Sequence, residues 1–299
     1  MESYYKYLPT SGEDDRWGMT LLNAGCGEIM DSESYPVHNH PDPYQFKWQN
    51  GRLLQEYQLI YISKGEGLFE SQSAGVAEVH AGTIILLFPG EWHRYRPNRN
   101  TGWVEYWAGF KGSMADSVLD NSFFDRKAPL IHTGIRPDII SLYQDIMGHT
   151  RSELPGYQPL VGGMVVHLLG LIYSLTKQQG LAKEIGDHQQ LVQKAMVLIR
   201  EITETKVTLE DIADQLQIGY SLFRKIFKKH TGLAPGQYLN QLKIERAKNH
   251  LLYSDKLIKE IGYELNFESE YYFSKFFKEK TGFSPLAFKK TYSLAQPKG

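Results

Sequence analysis

The sequence has few of the features that are typical of secreted and membrane proteins, namely cysteines, an apolar leader and long apolar segments. It holds one cysteine, Cys26, in 299 residues, which excludes a disulfide framework and fits a reducing cytoplasm. No basic segment followed by an apolar one opens the sequence, so we expect no secretory leader. The most apolar stretch, residues 160–175, contains His167 and falls short of the about 20 residues that a membrane-spanning helix needs. We therefore expect a cytoplasmic protein without membrane contact.

Net charge is also nearly absent, at −1, but it is unevenly distributed. Residues 191–299 hold 18 Lys and Arg against 12 Asp and Glu, whereas the first 190 residues hold 15 against 22. The length suits two domains, so we expect an acidic N-terminal domain joined to a basic C-terminal one. A basic domain suits contacts with nucleic acid phosphates, from which an acidic domain is repelled.

An internal repeat marks the basic half of the chain. The segment SLFRKIFKKHTGLAP at residues 221–235 returns as YYFSKFFKEKTGFSP at residues 271–285, with seven of the fifteen positions identical. In each copy apolar residues fall on one helical stripe, and polar or basic residues fall on the opposite side. A Thr-Gly pair suits the helix end, and a proline follows where another helix can begin. The pattern predicts one helical unit that is used twice.

Each copy follows a shorter helical segment, at residues 209–216 and 257–265. A short helix, a tight turn and a second helix with a basic outer face predict a helix-turn-helix unit. A basic helix face is often simply solvated, but here the same face occurs twice behind the same turn. The candidate DNA-binding residues are those on the two outer faces: Ser221, Arg224, Lys225 and Lys228 in the first unit, and Tyr271, Ser274, Lys275 and Lys278 in the second.

Residues of about 190–292 resemble the DNA-binding domain of the AraC/XylS family of bacterial transcription regulators. The segment IGYELNFESEYYFSKFFKEKTGFSPLAFKK, residues 261–290, carries this resemblance. The resemblance implies a seven-helix domain in which one long helix, here about residues 235–252, separates two helix-turn-helix units. It also implies that the two recognition helices enter successive major grooves of double-stranded operator DNA, which we expect to hold direct repeats. Implied partners are a second copy of the chain and, for an activator, RNA polymerase.

The N-terminal half is typical of a β-domain. Strand-like segments such as YQLIYIS, GLFES and GTIILLF are separated by glycine turns, which predicts a sandwich or barrel. The order of KGEG, GTIILLFPGEWHRYRP and WVEYWAGF resembles the cupin-like sensor domain of sugar-responsive members of the same family, the arabinose regulator among them. Residues 1–20 show no pattern and are interpreted either as an arm that lies over this domain or as a frayed terminus.

The predicted fold class is therefore α+β. A cupin-like β-barrel is followed by two trailing helices, from about residue 137, and then by an all-α C-terminal domain with two helix-turn-helix units. We expect a ligand-sensing and dimerisation domain at residues 1–176, a linker at residues 177–189 and the DNA-binding domain at residues 190–299. The linker is expected because residues 177–189 are polar, contain two glycines and show no apolar stripe.

The resemblance also implies a ligand site in the barrel. A tyrosine after the PGExH motif and a tryptophan of the W-x-x-x-W strand help to hold sugar in the arabinose regulator, and Tyr95 and Trp107 match them. Arg52, His93 and Glu105 complete the set of candidate ligand residues. An aromatic face against a sugar ring, with polar groups on its hydroxyls, is sound chemistry. The alternative is that the aromatic side chains merely fill the barrel.

The sequence thus predicts a ligand-responsive, sequence-specific transcriptional regulator, and more specifically an activator that senses a sugar. We expect no enzymatic activity and no cofactor. The alternative function is a metal-dependent cupin enzyme, such as a sugar isomerase, fused to a DNA-binding domain. His38, His40 and His93 could supply metal ligands, but Gln58 stands where such cupins have a glutamate, and a neutral amide weakens metal binding. We therefore assign no residue to a metal site.

Overall fold

A computed structural model describes residues 3–30, 35, 41, 44–45, 47–120, 123–185 and 188–293. The chain divides into two compact units, Met1–Gln178 and Gln179–Gly299. The first unit is a β-domain with accompanying helices, and the regular elements among the described residues of the second unit are all helices. The predicted α+β class, with the β-domain first, is confirmed.

Antiparallel strands build the first unit. Among the described residues they are β1 (Tyr4–Tyr7), β2 (Thr20–Ile29), β3 (Arg52–Leu53), β4 (Tyr57–Ser71), β5 (Gly75–His80), β6 (Thr83–Leu87), β7 (Trp92–Pro97), β8 (Trp103–Lys111) and β9 (Leu130–His132). One sheet has the order β1-β2-β8-β4-β6-β9, and β3 and β5 join a second sheet around β7 and β4. The two sheets share β4 and enclose an apolar interior, here called the barrel interior.

Strand β4 can serve both sheets because glycines occupy its middle. Its first part pairs with β8 and β6, and its last part pairs with β5 and β7. A Cβ atom on Gly65, which has a φ of +82°, would lie 2.1 Å from the carbonyl oxygen of Gly102. A Cβ atom on Gly67 would lie 2.3 Å from the carbonyl oxygen of Arg96. Side chains at these positions would therefore keep the neighbouring strands apart.

Alternation along β8 separates two layers of packing, since successive side chains of a strand point to opposite faces. Tyr106 and Phe110 join the cluster between the first sheet and the helices. Trp103 and Trp107 face the barrel interior instead, together with Ile60 of β4. The interior face of β8 is therefore the face that carries the predicted ligand residues.

Four helices accompany the sheets in the described residues: α1 (Gly12–Trp17), α2 (Ser113–Asp120), α3 (Pro137–Ser152) and α4 (Tyr157–Ile185). The predicted pair of trailing helices is confirmed as α3 and α4. Within the apolar stretch at residues 160–175, Leu160 and His167 are exposed whereas Val161 and Val165 are buried. A Cβ atom on Gly162 would lie 2.5 Å from the carbonyl oxygen of Met19, the residue before β2. This close contact at Gly162 sets which face of α4 is buried.

The prediction that the apolar segment is too short to span a membrane was wrong. Within the described residues, Tyr157–Gly180 is long and apolar enough to cross a membrane, judged by length and composition alone. Its Val165, Leu168 and Ile172 are fully buried in the cluster against the first sheet. In all, 39% of the most apolar part of this helix is buried, and core helices of soluble proteins meet the same criterion of length and composition.

The N-terminal segment is ordered rather than irregular. Strand β1 pairs with β2, with Tyr4 opposite Cys26. The Tyr4 hydroxyl lies 3.0 Å from the Thr150 hydroxyl of α3, and Lys6 Nζ lies 2.9 Å from the Glu153 carboxylate. The interpretation as a frayed terminus is therefore wrong for the described part of this segment, which adds an edge strand to the first sheet.

The second unit contains the helices α5 (His188–Glu201), α6 (Leu209–Gln215), α7 (Tyr220–Thr231), α8 (Pro235–Tyr253), α9 (Ile258–Glu264), α10 (Glu270–Thr281) and α11 (Pro285–Ser293). A 3-10 turn, Ile202–Glu204, follows α5. The seven α-helices that the resemblance implies are present within the described residues 188–293. Residues 177–185, which were assigned to the predicted linker, continue α4 as helix.

Two separate apolar cores hold the second unit together. The first packs α5, α6 and α7 against the start of α8, around Phe223 and Phe227. The second packs the end of α8 against α9, α10 and α11, around Phe273 and Phe277. Each helix-turn-helix unit thus has its own core, and α8 belongs to both.

Candidate functional sites

Arg52 lies at the centre of the candidate ligand site. Its Nε donates to Nε2 of His93 at 3.2 Å, and its Nη1 donates to the carbonyl oxygen of Tyr44 at 2.7 Å. Its Nη2 donates to the Tyr95 hydroxyl, and the guanidinium carbon lies 5.3 Å from the centre of the Tyr95 ring. Strand pairing puts Arg52 directly opposite His93, so three of the five predicted ligand residues meet here.

His93 is fully buried beside this guanidinium. Burial and the charge of Arg52 lower the pKa of His93 to about 3, so the imidazole is neutral at physiological pH. Its Nδ1 lies 3.0 Å from the Glu91 carbonyl oxygen, which can accept but not donate. The proton therefore sits on Nδ1, and the lone pair of Nε2 accepts from Arg52.

Glu105 projects from β8 into the barrel interior and is 7% exposed. The Tyr35 hydroxyl donates to its Oε2 at 3.1 Å. Burial raises the pKa of Glu105 to about 7, although the Tyr35 hydrogen bond and the charge of Arg52 oppose this rise. A carboxyl group with this pKa can accept or donate a hydrogen bond near neutral pH.

Aromatic rings surround these polar groups. Tyr35 lies with its ring centre 5.7 Å from those of both Tyr95 and Trp103. Trp107 is half-buried on the same side of β8 and packs against the interior cluster. A Cβ atom on Gly25 of β2 would lie 2.3 Å from the Trp107 ring, so only glycine at this position leaves room for the tryptophan.

The indole N–H of Trp103 is the notable polar group of this interior. Trp103 is 2% exposed, and its Nε1 has no hydrogen-bond partner among the described residues. The Glu105 carboxyl lies close enough for this N–H to lower its pKa as a hydrogen-bond donor does, although the geometry of the pair falls outside that of a normal hydrogen bond. An unpaired buried donor costs about 1–3 kcal/mol, so this N–H is suited to a partner that a ligand would supply.

A second polar network lies beside the first and was not predicted. The Glu56 carboxylate is 8% exposed and accepts from Asn23 at 2.7 Å, from Gln58 at 2.7 Å and from the Tyr44 hydroxyl at 3.0 Å. Burial raises the pKa of Glu56. The Tyr7 ring of β1 lies 4.6 Å from the Tyr44 ring. Because the Tyr44 carbonyl accepts from Arg52, this network connects β1 with the candidate ligand site.

Sequence analysis missed Tyr35, Tyr44 and Glu56 because each lies outside the strands that alternation reveals. Trp103 could have been found, since it precedes Glu105 and Trp107 at the two-residue spacing of one strand face. Gln58, which had been considered only as a substitute metal ligand, instead donates to Asn23 and Glu56.

The metal alternative receives no support from the described residues. His38 and His40 lie outside them. Among the residues that the structure does describe, no three His, Cys, Asp or Glu side chains are grouped to hold a metal ion. Metal binding through His93 would compete with Arg52 for Nε2, and a neighbouring cation opposes a metal ion electrostatically.

The two helix-turn-helix units repeat each other in geometry. The first, α6 and α7, and the second, α9 and α10, are offset by 49 residues in the leading helix and by 50 in the recognition helix. In both recognition helices a glycine with positive φ, Gly232 or Gly282, forms the C-cap. A Cβ atom on the buried Gly262 would lie 3.2 Å from Phe273, so α9 and α10 approach each other closely at this glycine.

The outer faces of α7 and α10 carry all eight predicted DNA-binding residues. Seven of them are exposed and Ser274 is half-buried. Among the described residues none of the eight side chains takes part in a hydrogen bond or an ion pair. Lys280 of α10, in contrast, pairs with Glu279 at 3.1 Å. Unpaired cations on one helix face are available to phosphates and base edges.

A β-domain with a polar aromatic interior, followed by two helix-turn-helix units, defines a DNA-binding transcriptional regulator with a ligand-binding domain. Comparison with known families agrees. Residues 34–157 match a family described as the AraC-like ligand binding domain, and residues 212–291 match a helix-turn-helix domain family. The chain therefore combines an AraC-like ligand-binding domain with a helix-turn-helix domain.

Individual relatives are similar over most of their length. The raffinose operon transcriptional regulatory protein RafR of Pediococcus pentosaceus is 25% identical over 84% of this chain and 90% of its own. The lactose operon transcription activator of Staphylococcus xylosus is 24% identical, over 82% of this chain and 88% of its own. The MmsAB operon regulatory protein of Pseudomonas aeruginosa is 27% identical, over 78% and 75%. The similarity thus extends across both units.

Proposed function

We propose that the chain is a sugar-responsive activator, and that its effector binds in the barrel interior. The observation that carries this proposal is the buried Trp103 N–H, which lies close to the Glu105 carboxyl but makes no hydrogen bond of normal geometry with the described residues. A ligand hydroxyl can accept from an N–H and donate to a carboxylate at the same time. The relatives named for raffinose and lactose operons support a carbohydrate as the effector.

The remaining groups suit the other features of a sugar. A pyranose ring has apolar C–H faces that pack against aromatic rings, and Trp107 and Tyr95 offer such rings beside the polar groups. Arg52 supplies donors fixed in place by His93 and Tyr44. A neutral polyol suits this set of groups, since its hydroxyls can accept from Arg52 and can donate to or accept from the Glu105 carboxyl.

On DNA, we propose that α7 and α10 enter successive major grooves of one operator. Arg224 and Lys225 would contact base edges in one groove, with Ser221 at the start of the helix, and Lys275, Ser274 and Tyr271 would do so in the next. Lys228 and Lys278, one turn further along, would contact phosphates. An arginine that contacts guanine is the commonest specific contact, and the exposure of these side chains is consistent with it.

We propose the familiar assembly for regulators of this type: a homodimer in the cytoplasm that binds directly repeated sites and recruits RNA polymerase. The effector can shift the regulatory equilibrium only by its differential affinity for two states. We assign no catalytic role to the chain. Its relatives are transcriptional regulators, and the imidazole of His93 is occupied by Arg52.

The first test is a thermal-shift titration of the full chain with a panel of mono- and disaccharides and raffinose, with and without EDTA. We expect one sugar to raise the unfolding temperature whether or not EDTA is present. At a hundred times its Kd, a ligand stabilises the native state by about 2.7 kcal/mol. Trp107→Ala should abolish the shift, whereas replacement of the exposed Trp17 by alanine should leave it intact.

Absence of a shift with every sugar would contradict the carbohydrate proposal. A large loss of stability on adding EDTA alone would instead favour a bound metal, and would return weight to the enzyme alternative. Neither result would affect the assignment of the second unit to DNA binding, which rests on its family and its geometry.

A further inference from the structure

The two helix-turn-helix units must keep a fixed spacing if both recognition helices are to enter DNA together. Their apolar cores, however, are separate clusters that share only helix α8. The spacing therefore depends on α8 and on the polar contacts that cross between the units.

Polar contacts at the middle of α8 link the units. Arg246 donates to the carbonyl oxygen of Arg200 at 3.0 Å and forms an ion pair with Glu204, and both partners lie on the side of the first helix-turn-helix unit. Three residues earlier, Lys243 donates to the carbonyl oxygen of Asn266 at 3.5 Å, in the turn of the second helix-turn-helix unit. The Lys243 ammonium also lies 5.1 Å from the centre of the Phe267 ring. Helix α8 thus holds the end of α5 on one side and the α9–α10 turn on the other.

Asn266 adds a contact that does not pass through α8. Its Nδ2 donates to the carbonyl oxygen of Thr205 at 2.7 Å. Thr205 is the C-cap of the 3-10 turn that follows α5, so it belongs to the framework of the first helix-turn-helix unit. This hydrogen bond joins the turn before recognition helix α10 directly to the framework that carries α7.

The equivalent turn of the first unit has the same backbone but no such bridge. Gln217 has a φ of +57° and Asn266 has a φ of +54°. The following amides are also alike, since Ile218 N donates to Ala213 O at 3.1 Å and Phe267 N donates to Gly262 O at 2.9 Å. The Gln217 side chain is exposed and makes no hydrogen bond with the described residues. The difference between the two turns therefore lies in the side chain.

We propose that Asn266 is a positioning residue for DNA recognition: its bond to Thr205 fixes recognition helix α10 relative to α7, and so sets the separation of the two groove segments that the chain reads. The inference rests on the proposed entry of α7 and α10 into successive grooves. A chain without the bridge samples other separations, and its apparent affinity falls with the fraction that remains in register.

The test variant is Asn266→Gly. Glycine adopts positive φ without strain, so this change removes the side-chain bond and leaves the turn intact. Gln217→Gly is the matched control, because it makes the same backbone change in the other turn, where no bridge exists. Asn266→Asp is a second variant that keeps the size of the side chain and removes the donor.

Binding is measured with the full chain on a duplex that the wild-type protein selects from a random pool. Two further duplexes carry one base pair inserted or deleted between the two groove segments, which are located by footprinting. We expect wild type and Gln217→Gly to bind the original spacing best by a wide margin. Asn266→Gly and Asn266→Asp should bind it about threefold to tenfold more weakly, the range of one hydrogen bond, and should discriminate less between spacings.

The ratio of affinities between spacings is the deciding readout. A general loss of folded protein would weaken binding to all three duplexes equally and leave this ratio unchanged. An Asn266→Gly protein that discriminates between spacings as sharply as wild type would overturn the role of Asn266 alone. A wild-type protein that is indifferent to spacing would instead overturn the proposed two-groove binding, and the role of Asn266 with it.

Discussion

The ligand site and the DNA face hold their charges in opposite ways. In the barrel interior, Arg52 and Glu105 lie among groups that already engage them, His93, Tyr44 and Tyr95 for the cation and Tyr35 for the carboxyl. On α7 and α10 the cations are exposed, and those assigned to DNA make no contact of this kind with the described residues.

This difference follows from what each site is proposed to bind. A buried site for a small neutral molecule must satisfy its own charges before the ligand arrives, because an unpaired buried charge is costly. A surface for a polyanion gains by leaving cations unpaired, since counterions are released from the DNA when it binds. Burial should therefore make the first site sensitive to pH, and exposure should make the second sensitive to salt.

The largest expected effect concerns Glu105 and pH. Its pKa is about 7 in the folded chain, above that of a carboxyl in the unfolded chain, so the folded state binds the proton more tightly. Stability from this group is complete below the unfolded pKa and is lost as the pH rises towards 7. The loss is on the order of 3 kcal/mol, from a pKa difference of about 2.5. Calorimetric unfolding of the first unit within the full chain, at pH 5 and pH 7.5, measures it.

Glu105→Gln should remove this dependence, because the amide carries no proton to lose. Glu56, whose pKa burial also raises, contributes with the same sign, so the decisive quantity is the difference between wild type and variant. Replacement of the exposed Glu13 by glutamine should leave the pH profile unchanged. Equal slopes in wild type and Glu105→Gln would show that the carboxyl is not buried as described.

Regularity decided how much of each region could be predicted. The helix-turn-helix units repeat, and their seven identical positions reveal helices, turn and outer face together. Apolar stripes such as Phe223 and Phe227 belong to local cores, so helical spacing alone identifies them. The boundaries of α7 and α10 consequently differ from the predicted ones by about one residue.

The ligand site was harder because long-range contacts assemble it. The resemblance to the sensor domain of the arabinose regulator pointed to Tyr95 and Trp107, and to His93 and Glu105 beside them. Tyr44 and Glu56 come from segments without periodicity, and the bonds that matter for Glu56 join it to Asn23, 33 positions earlier in the chain. Sequence spacing carries no sign of such a contact, nor of the bond from Asn266 to Thr205.

The next effect concerns specificity on the exposed side of the comparison. Arg224→Ala should relax preference at one base position of the operator by about 1–3 kcal/mol, the value of one bidentate contact. The measurement is competition binding of the full chain with duplexes that carry single base substitutions. Replacement of Lys248, which pairs with Glu245 on α8, is the control and should preserve the preference. Unchanged preference at every position in Arg224→Ala would contradict base contact by this residue.

The smallest effect separates phosphate contact from base contact. Lys278→Ala should weaken binding to all sequences alike and reduce the slope of log affinity against log salt by about 1, because one fewer counterion is released. Lys280→Ala removes the same charge from the same helix, but Lys280 is already paired with Glu279 at 3.1 Å. We therefore expect a smaller change in slope for Lys280→Ala. Equal slopes in the two variants would mean that α10 attracts DNA through its overall charge, and that Lys278 makes no specific contact with a phosphate.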